Sequence, residues 1–68
     1  MLRRRLLSAI EELPERERQI IRLYYIESRS LKSIGNAMEI SESRASQLRH
    51  RAIRRLRTAL ARDLAEAA

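Results

Sequence analysis

Three polar side chains able to form hydrogen bonds fall close together in the second half of the chain. Ser46 and Gln47 lie three and four residues after Ser43, which places all three near one side of a helix. A glutamine can bond an adenine edge with both ends of its amide, and a serine hydroxyl can bond several bases. The chemistry offered by this group is recognition by hydrogen bonds, of the kind that reads base edges in DNA.

A run of arginine overlaps these residues. Between Ser43 and Arg62 the chain has seven Arg and no acidic residue, whereas the arginines of residues 1–30 alternate with five Glu. The whole chain has 15 Lys and Arg against 9 Asp and Glu, a formal net charge of +6. Because guanidinium groups make planar, bidentate contacts to phosphate, this excess predicts a nucleic acid as the first choice of partner. An anionic membrane surface comes second and an acidic protein third.

Catalytic and metal chemistry are not expected. A chain of 68 residues is too short to enclose a deep substrate cavity, and without Cys it can form neither disulfides nor a thiolate metal site. The single histidine, His50, has no acidic or Ser partner at catalytic spacing. We therefore expect no enzyme activity, no metal and no cofactor. The longest uncharged stretch, residues 33–38, is far short of the ~20 apolar residues of a membrane span, and a Cys-free chain fits a reducing cytoplasm.

Helices must position the polar group, because the composition favours little else. One Gly, one Pro and 3% aromatic residues are too few for the turns and strands of a sandwich or barrel. Breaks at Pro14, at residues 28–30 and at residues 39–41 divide the chain. The sequence predicts one all-α domain over residues 1–68, with helices at about 2–12, 14–26, 31–38 and 42–64.

Each predicted helix has one apolar face. The expected buried positions are Leu6, Ile10 and Leu13; then Ile20, Leu23 and Tyr24; then Leu31, Ile34, Ala37 and Met38; and finally Ala45, Leu48, Ala52, Leu56 and Leu60, with Ile53 at the edge. At 3.6 residues per turn the fourth helix directs Ser43, Gln47, His50 and Arg54 away from its apolar face. Pro14 is expected at the first position of the second helix, where Glu15 and Glu17 complement the helix dipole.

The third and fourth helices match a helix-turn-helix. Gly35 supplies the small residue where two helices approach, Ile40 supplies the apolar residue of the turn, and Ser30 and Ser41 are suitable N-caps. Glu39 departs from the pattern, since many such turns have Gly where the backbone is left-handed. Backbone amides at the start of the third helix, beside a lysine, form a phosphate site.

Four segments of the chain form a specific combination: LPERE at 13–17, LYY at 23–25, SLKSIG at 30–35 and ESRASQLRHRAIRRLR at 42–57. Together they span nearly the whole chain. The combination resembles domain 4, also called region 4, of the sigma-70 family of bacterial RNA polymerase sigma factors. ESR followed by SQL is most similar to the flagellar and motility class of alternative sigma factors.

The resemblance implies that the fourth helix enters the major groove of the −35 promoter element. Family positions that contact bases fall on Glu42, Ser43, Ser46 and Gln47. Family positions that hold phosphates fall on Arg16, Arg22, Leu31 and Lys32, with Arg44 nearby. Activators or the DNA backbone would contact Arg51, Arg54 and Arg57. The resemblance also implies that an apolar surface grips the flap of the polymerase β subunit, and that anti-sigma proteins bind the same surfaces.

Two alternatives remain open from the sequence. The chain could be the helix-turn-helix output domain of a dimeric transcriptional regulator, or a protein-interaction module bound by an anti-sigma factor. The resemblance places it in the bacterial cytoplasm at the nucleoid, and we expect it to be one domain of a longer sigma factor.

Arg49, which projects close to the apolar face of the fourth helix, is expected to pair with a Glu of the first two helices.

Overall fold

The computed structural model describes the backbone of residues 2–67 and the side chains of residues 4–62, 64 and 65. It has four α-helices: α1 (Leu2–Glu11), α2 (Glu15–Ile21), α3 (Leu31–Met38) and α4 (Glu42–Ala67). A π-helical turn, Arg22–Ile26, continues α2. No strand occurs within residues 2–67. The all-α class expected from the sequence is confirmed, while α4 ends three residues later than expected and residues 1 and 68 lie outside the described part.

The starts of the helices are set by capping residues. The Ser30 hydroxyl accepts a hydrogen bond from the Ser33 amide at 3.1 Å, and the Ser41 hydroxyl accepts one from the Arg44 amide at 3.0 Å. Both expected N-caps are therefore present. Pro14 has extended backbone and precedes α2 as its N-cap, so the helix begins one residue later than predicted.

The turn between α3 and α4 closes α3 tightly. Glu39 is left-handed, with φ 58° and ψ 42°, and the Ile40 amide donates to the Gly35 carbonyl at 2.9 Å. This is a Schellman ending, in which the residue after the left-handed position packs inward. Ile40 accordingly packs against the core. A Cβ built on Gly35 would lie 2.8 Å from the Ile40 carbonyl oxygen, so the close approach requires glycine here.

The core lies where α2, α3 and the first half of α4 meet. Its buried residues are Leu13, Ile20, Ile21, Ile34, Met38, Ala45, Leu48 and Ala52. Two expected core positions are wrong: Leu6 is 37% exposed and Ala37 is exposed. On α1 the buried residue is Ala9, which is 6% exposed and lines a shallow cleft with Ala59 of α4.

Helix α4 contacts every other helix along its length. Its first half packs with α2 and α3, and its second half packs with the end of α1 beside Arg55, Thr58 and Ala59. Its length makes the molecule elongated, with extents of 42 × 18 × 16 Å. None of the described helices is long and apolar enough to span a membrane.

Candidate nucleic-acid interface

The outer side of α4 is open along the whole reading region. Ser43, Gln47, His50 and Arg54 are all exposed, while Ala45, Leu48 and Ala52 on the opposite side are at most 5% exposed. The helix therefore holds its backbone against the core and presents polar and basic side chains outward. This confirms the division of faces expected from the helical period.

The four predicted base-contacting residues do not share one environment. Ser43 and Gln47 are exposed and lie one helical turn apart, whereas Ser46 is half-buried and therefore less accessible to a DNA base than either of them. Glu42, the first residue of α4, is exposed and lines a shallow groove with Tyr24 and the 28–31 segment. Glu42 thus stands at the start of α4 and faces the start of α3 across this groove. Of the four residues, Ser43 and Gln47 form the exposed pair on the reading face.

Arg44 and Gln47 are joined directly. The Arg44 Nη1 donates a hydrogen bond to Gln47 Oε1 at 3.3 Å, and both side chains are exposed. Residues three apart on a helix are neighbours on its surface, so the bond needs no distortion of the backbone. The structure therefore places a predicted phosphate-contacting residue against a predicted base-contacting residue.

The start of α3 retains the features of an anion site. The hydroxyl of Ser30 satisfies the Ser33 amide, while the amides of Leu31 and Lys32 belong to the first turn and have no acceptor within the helix. The Lys32 side chain is exposed, and Leu31 is half-buried. Amides and lysine together suit a phosphate group.

Arg16 and Arg22 are engaged inside the domain. Arg16 Nη2 donates to the Met38 carbonyl at 3.3 Å, which satisfies the end of α3. Arg22 Nη2 pairs with Glu11 Oε1 at 3.2 Å, and Arg18 Nη1 lies 3.9 Å from Glu11 Oε2. Arg16 holds α2 to the end of α3, and Arg22 is tied to α1. No contact brings either residue to Lys32 or to the reading face within the described part of the chain.

The basic end of α4 is solvent-facing. Arg51, Arg54 and Arg57 are all exposed and follow one another at three-residue spacing. Arg55 is also exposed, but it differs from these three in making an ion pair: its Nε lies 2.9 Å from Glu17 Oε1. Glu17 is only 6% exposed, and the Arg55 N–H is not aligned with the oxygen, so the contact is an ion pair without a well-formed hydrogen bond.

Two contacts in this region were missed by the sequence reasoning. Arg49 was expected to pair with a Glu of the first two helices, which is wrong. Its guanidinium lies 4.7 Å from the centre of the Tyr24 ring, with its Nε buried and without a hydrogen-bond partner. The partner of the buried Glu17 is Arg55, six residues further along α4. Glu17 lies four residues before Ile21 and so shares its face of α2. This apolar neighbour was the available signal that Glu17 is buried.

Among the described residues, no group of three or more His, Asp or Glu side chains is placed to hold a metal ion.

Comparison with known proteins gives a consistent result. The family model for sigma-70, region 4, matches residues 9–58. RNA polymerase sigma factor FliA of Yersinia enterocolitica is 53% identical over 62 residues, which are 91% of this chain and 27% of that protein. FliA of Escherichia coli (strain K12) is 56% identical over 59 residues, which are 87% of this chain and 25% of that protein.

A relative outside the FliA proteins is also similar. RNA polymerase sigma-B factor of Bacillus subtilis (strain 168) is 41% identical over 56 residues, which are 82% of this chain and 21% of that protein. The chain thus spans about a quarter of the length of its FliA relatives. No solved structure gives a significant match. The resemblance expected from the sequence is confirmed, and the chain belongs to region 4 of the sigma-70 family, in the flagellar class.

Proposed function

We propose that this chain is the part of a sigma factor that reads the −35 element of promoters, and that it directs bacterial RNA polymerase to motility or developmental genes. The observation that carries the proposal is the open reading face of α4. Ser43 and Gln47 are exposed on it, and the helix behind them is fixed by the buried residues Ala45 and Leu48. A recognition helix in the major groove needs this combination of a fixed backbone and outward hydrogen-bonding groups.

Cationic groups on both sides of the reading face supply the phosphate contacts in this proposal. Lys32 and the first amides of α3 would hold phosphates of one segment of the DNA backbone. Three exposed arginines of α4 would contact phosphates of another segment of the DNA backbone, or an activator: Arg51, Arg54 and Arg57. Arg16 and Arg22 would each keep most of their five N–H donors for phosphate, because each makes one hydrogen bond within the domain.

The remaining partners follow from family membership. We expect the β-subunit flap of RNA polymerase and an anti-sigma factor to bind this domain, and we expect it to act in the bacterial cytoplasm at the nucleoid. The relatives are all sigma factors by name, which does not favour a dimeric regulator. In this role the chain has no catalytic step of its own.

Binding to DNA duplexes at several salt concentrations tests the proposal. A duplex with a −35 element should bind more tightly than a scrambled duplex of the same length and composition. Affinity should fall steeply with salt, because about six neutralised phosphates give a log–log slope near −5. Equal affinity for both duplexes at every salt concentration would contradict the proposal.

Two variants separate reading from anchoring. Gln47→Ala should reduce the difference between the matched and scrambled duplexes, because it removes a group that touches base edges. Lys32→Ala should weaken binding to both duplexes by the same factor, and it should make the log–log slope of affinity against salt concentration shallower by about 1. A Gln47→Ala variant that loses affinity equally for both duplexes would place Gln47 outside the reading group.

A further inference from the structure

We propose that Arg44 sets the base preference of Gln47, so that the reading face selects a hydrogen-bond acceptor, first of all guanine, at the base pair that Gln47 meets. The inference rests on the proposed function and makes it more specific. It starts from the 3.3 Å hydrogen bond between Arg44 Nη1 and Gln47 Oε1. That bond joins two exposed residues of the face that carries Ser43.

The bond changes what Gln47 can offer to a base. A glutamine reads adenine by accepting from the N6 amino group through Oε1 and donating to N7 through Nε2. Here Oε1 already accepts from Arg44, which occupies one of its two lone pairs and holds the oxygen toward the guanidinium. Because the amide is planar, Nε2 is then turned the other way, and it can only donate.

Arg44 reinforces this effect with its own donors. The guanidinium has five N–H groups and no acceptor, and one of the five is used on Gln47. The joined pair therefore presents donors from both side chains. Guanine offers two acceptors, O6 and N7, on its major-groove edge, whereas the adenine amino group is itself a donor and would have to share Oε1 with Arg44. Thymine, with the single acceptor O4, comes between them.

The surroundings of Arg44 leave it free for this role. The run from Ser43 to Arg62 has no acidic residue that could draw the guanidinium away. Glu42 is two residues earlier, and side chains two apart on a helix do not face each other. The Arg44 amide is itself fixed by the Ser41 cap at 3.0 Å.

Base preference should be measured at every position of the −35 duplex for the 68-residue chain. All four base pairs are placed at each position, and the chain is compared with Gln47→Ala, Arg44→Ala and the double variant. At the position whose preference Gln47→Ala abolishes, we expect the unchanged chain to favour guanine over adenine by about tenfold. Replacing that guanine by 7-deazaguanine, which lacks the N7 acceptor, should lower the affinity of the unchanged chain several-fold.

Arg44→Ala provides the decisive comparison. It should shift the preference at that same position toward adenine, because Oε1 of Gln47 is then no longer shared with Arg44 or held toward it, and the double variant should show no preference there. Arg57→Ala removes another exposed charge from α4, ten residues from Gln47, so it should lower the affinity and leave the preference unchanged.

Three results would overturn the inference. The unchanged chain could favour adenine at the Gln47-dependent position, Arg44→Ala could lower affinity equally for all four base pairs there, or Gln47→Ala could leave the preference unchanged at every position. If the unchanged chain shows no base preference at any position, the proposed function itself fails, and the two failures are thereby distinguished.

Discussion

The two halves of α4 share one apolar period and differ in how deeply they are buried. In the first half Ala45, Leu48 and Ala52 are at most 5% exposed. In the second half Leu56 and Leu60 are half-buried, and Leu64 is 54% exposed. The buried residues of the first half join the core with α2 and α3, whereas Thr58, Ala59 and Arg62 of the second half line a shallow cleft with the end of α1.

The difference shows that the apolar period decides which side of the helix faces inward, whereas the number of neighbouring elements decides how deeply the side chains on that side are buried. The half that carries Ser43 and Gln47 is also the half with the deeper core. A reading face needs a backbone held in one place, while a row of arginines that meets phosphates or a protein tolerates a looser attachment. The following four predictions test this division.

Leucine truncation should separate the two halves most clearly. Leu48→Ala, at a position 5% exposed, should lower the free energy of unfolding by about 3 kcal/mol, from lost burial and the cavity that remains. Leu60→Ala, at a half-buried position, should lower it by about 1 kcal/mol. Urea unfolding followed by circular dichroism measures both. Equal losses would show that the two halves are held alike.

Gly35→Ala tests how tightly the first half of α4 is joined to α3. The added methyl group would lie 2.8 Å from the Ile40 carbonyl oxygen, and backbone cannot move aside easily. We expect a net loss of about 1 to 2 kcal/mol, in spite of the ~1 kcal/mol by which alanine favours a helix. Asn36→Ala, at the exposed neighbouring position, is the matched control and should be neutral or slightly stabilising. A Gly35→Ala variant as stable as this control would refute the close approach.

The Glu17–Arg55 ion pair joins α2 to α4 near the boundary between its two halves. A double-mutant cycle with Glu17→Gln and Arg55→Gln should give a coupling free energy of about 1 kcal/mol, since Glu17 is buried and Arg55 is 60% exposed. The coupling should shrink in high salt. A cycle with Arg54→Gln in place of Arg55→Gln should give no coupling, because Arg54 makes no ion pair among the described residues. Coupling of equal size in both cycles would mean that the ion pair is not specific.

Glu39→Gly should have the smallest effect, and it should be stabilising. Glu39 is left-handed with φ 58°, a conformation that glycine adopts without steric strain. We expect a gain of about 0.5 to 1 kcal/mol in the free energy of unfolding. Ser28→Gly, at φ 55°, is a parallel case outside the helix-turn-helix and should give a similar gain. Destabilisation at Glu39 alone would indicate that its side chain has a structural role in the turn.

Local chemistry made much of the fold predictable. The caps at Ser30 and Ser41, the small residue Gly35 and the inward-packed Ile40 are each decided within a few residues of chain. The open side of α4 likewise follows from helical spacing alone. These features agree with the structure because no distant contact competes with them.

Tertiary contacts decided what the sequence could not. Leu6 was expected inside because it is apolar, but the buried residue of α1 is the small Ala9, and Leu6 is 37% exposed. Arg49 was expected to meet an acid, but its guanidinium lies over the ring of Tyr24, which belongs to the π-helical turn. Ile26, the last residue of the same turn, is 67% exposed. Neither packing distance nor a π-helical turn has a signature in a single sequence.

The roles of individual site residues stay predictions. The structure adds one fact that spacing could not give, namely that the Arg44 and Gln47 side chains are bonded to each other. Helical spacing makes such a pair possible, but side-chain rotamers decide whether it forms.

The length of α4 has a geometric consequence for any complex with DNA. Its 26 residues extend about 39 Å, more than the 34–36 Å of one full turn of the double helix. A straight rod of that length cannot follow a groove that curves around the duplex axis. Because Ser43 and Gln47 lie near its start, that end would enter the groove, and the other end would leave the DNA surface. The arginines of that far end then stand clear of the bases, where a second protein could touch them while the duplex remains bound.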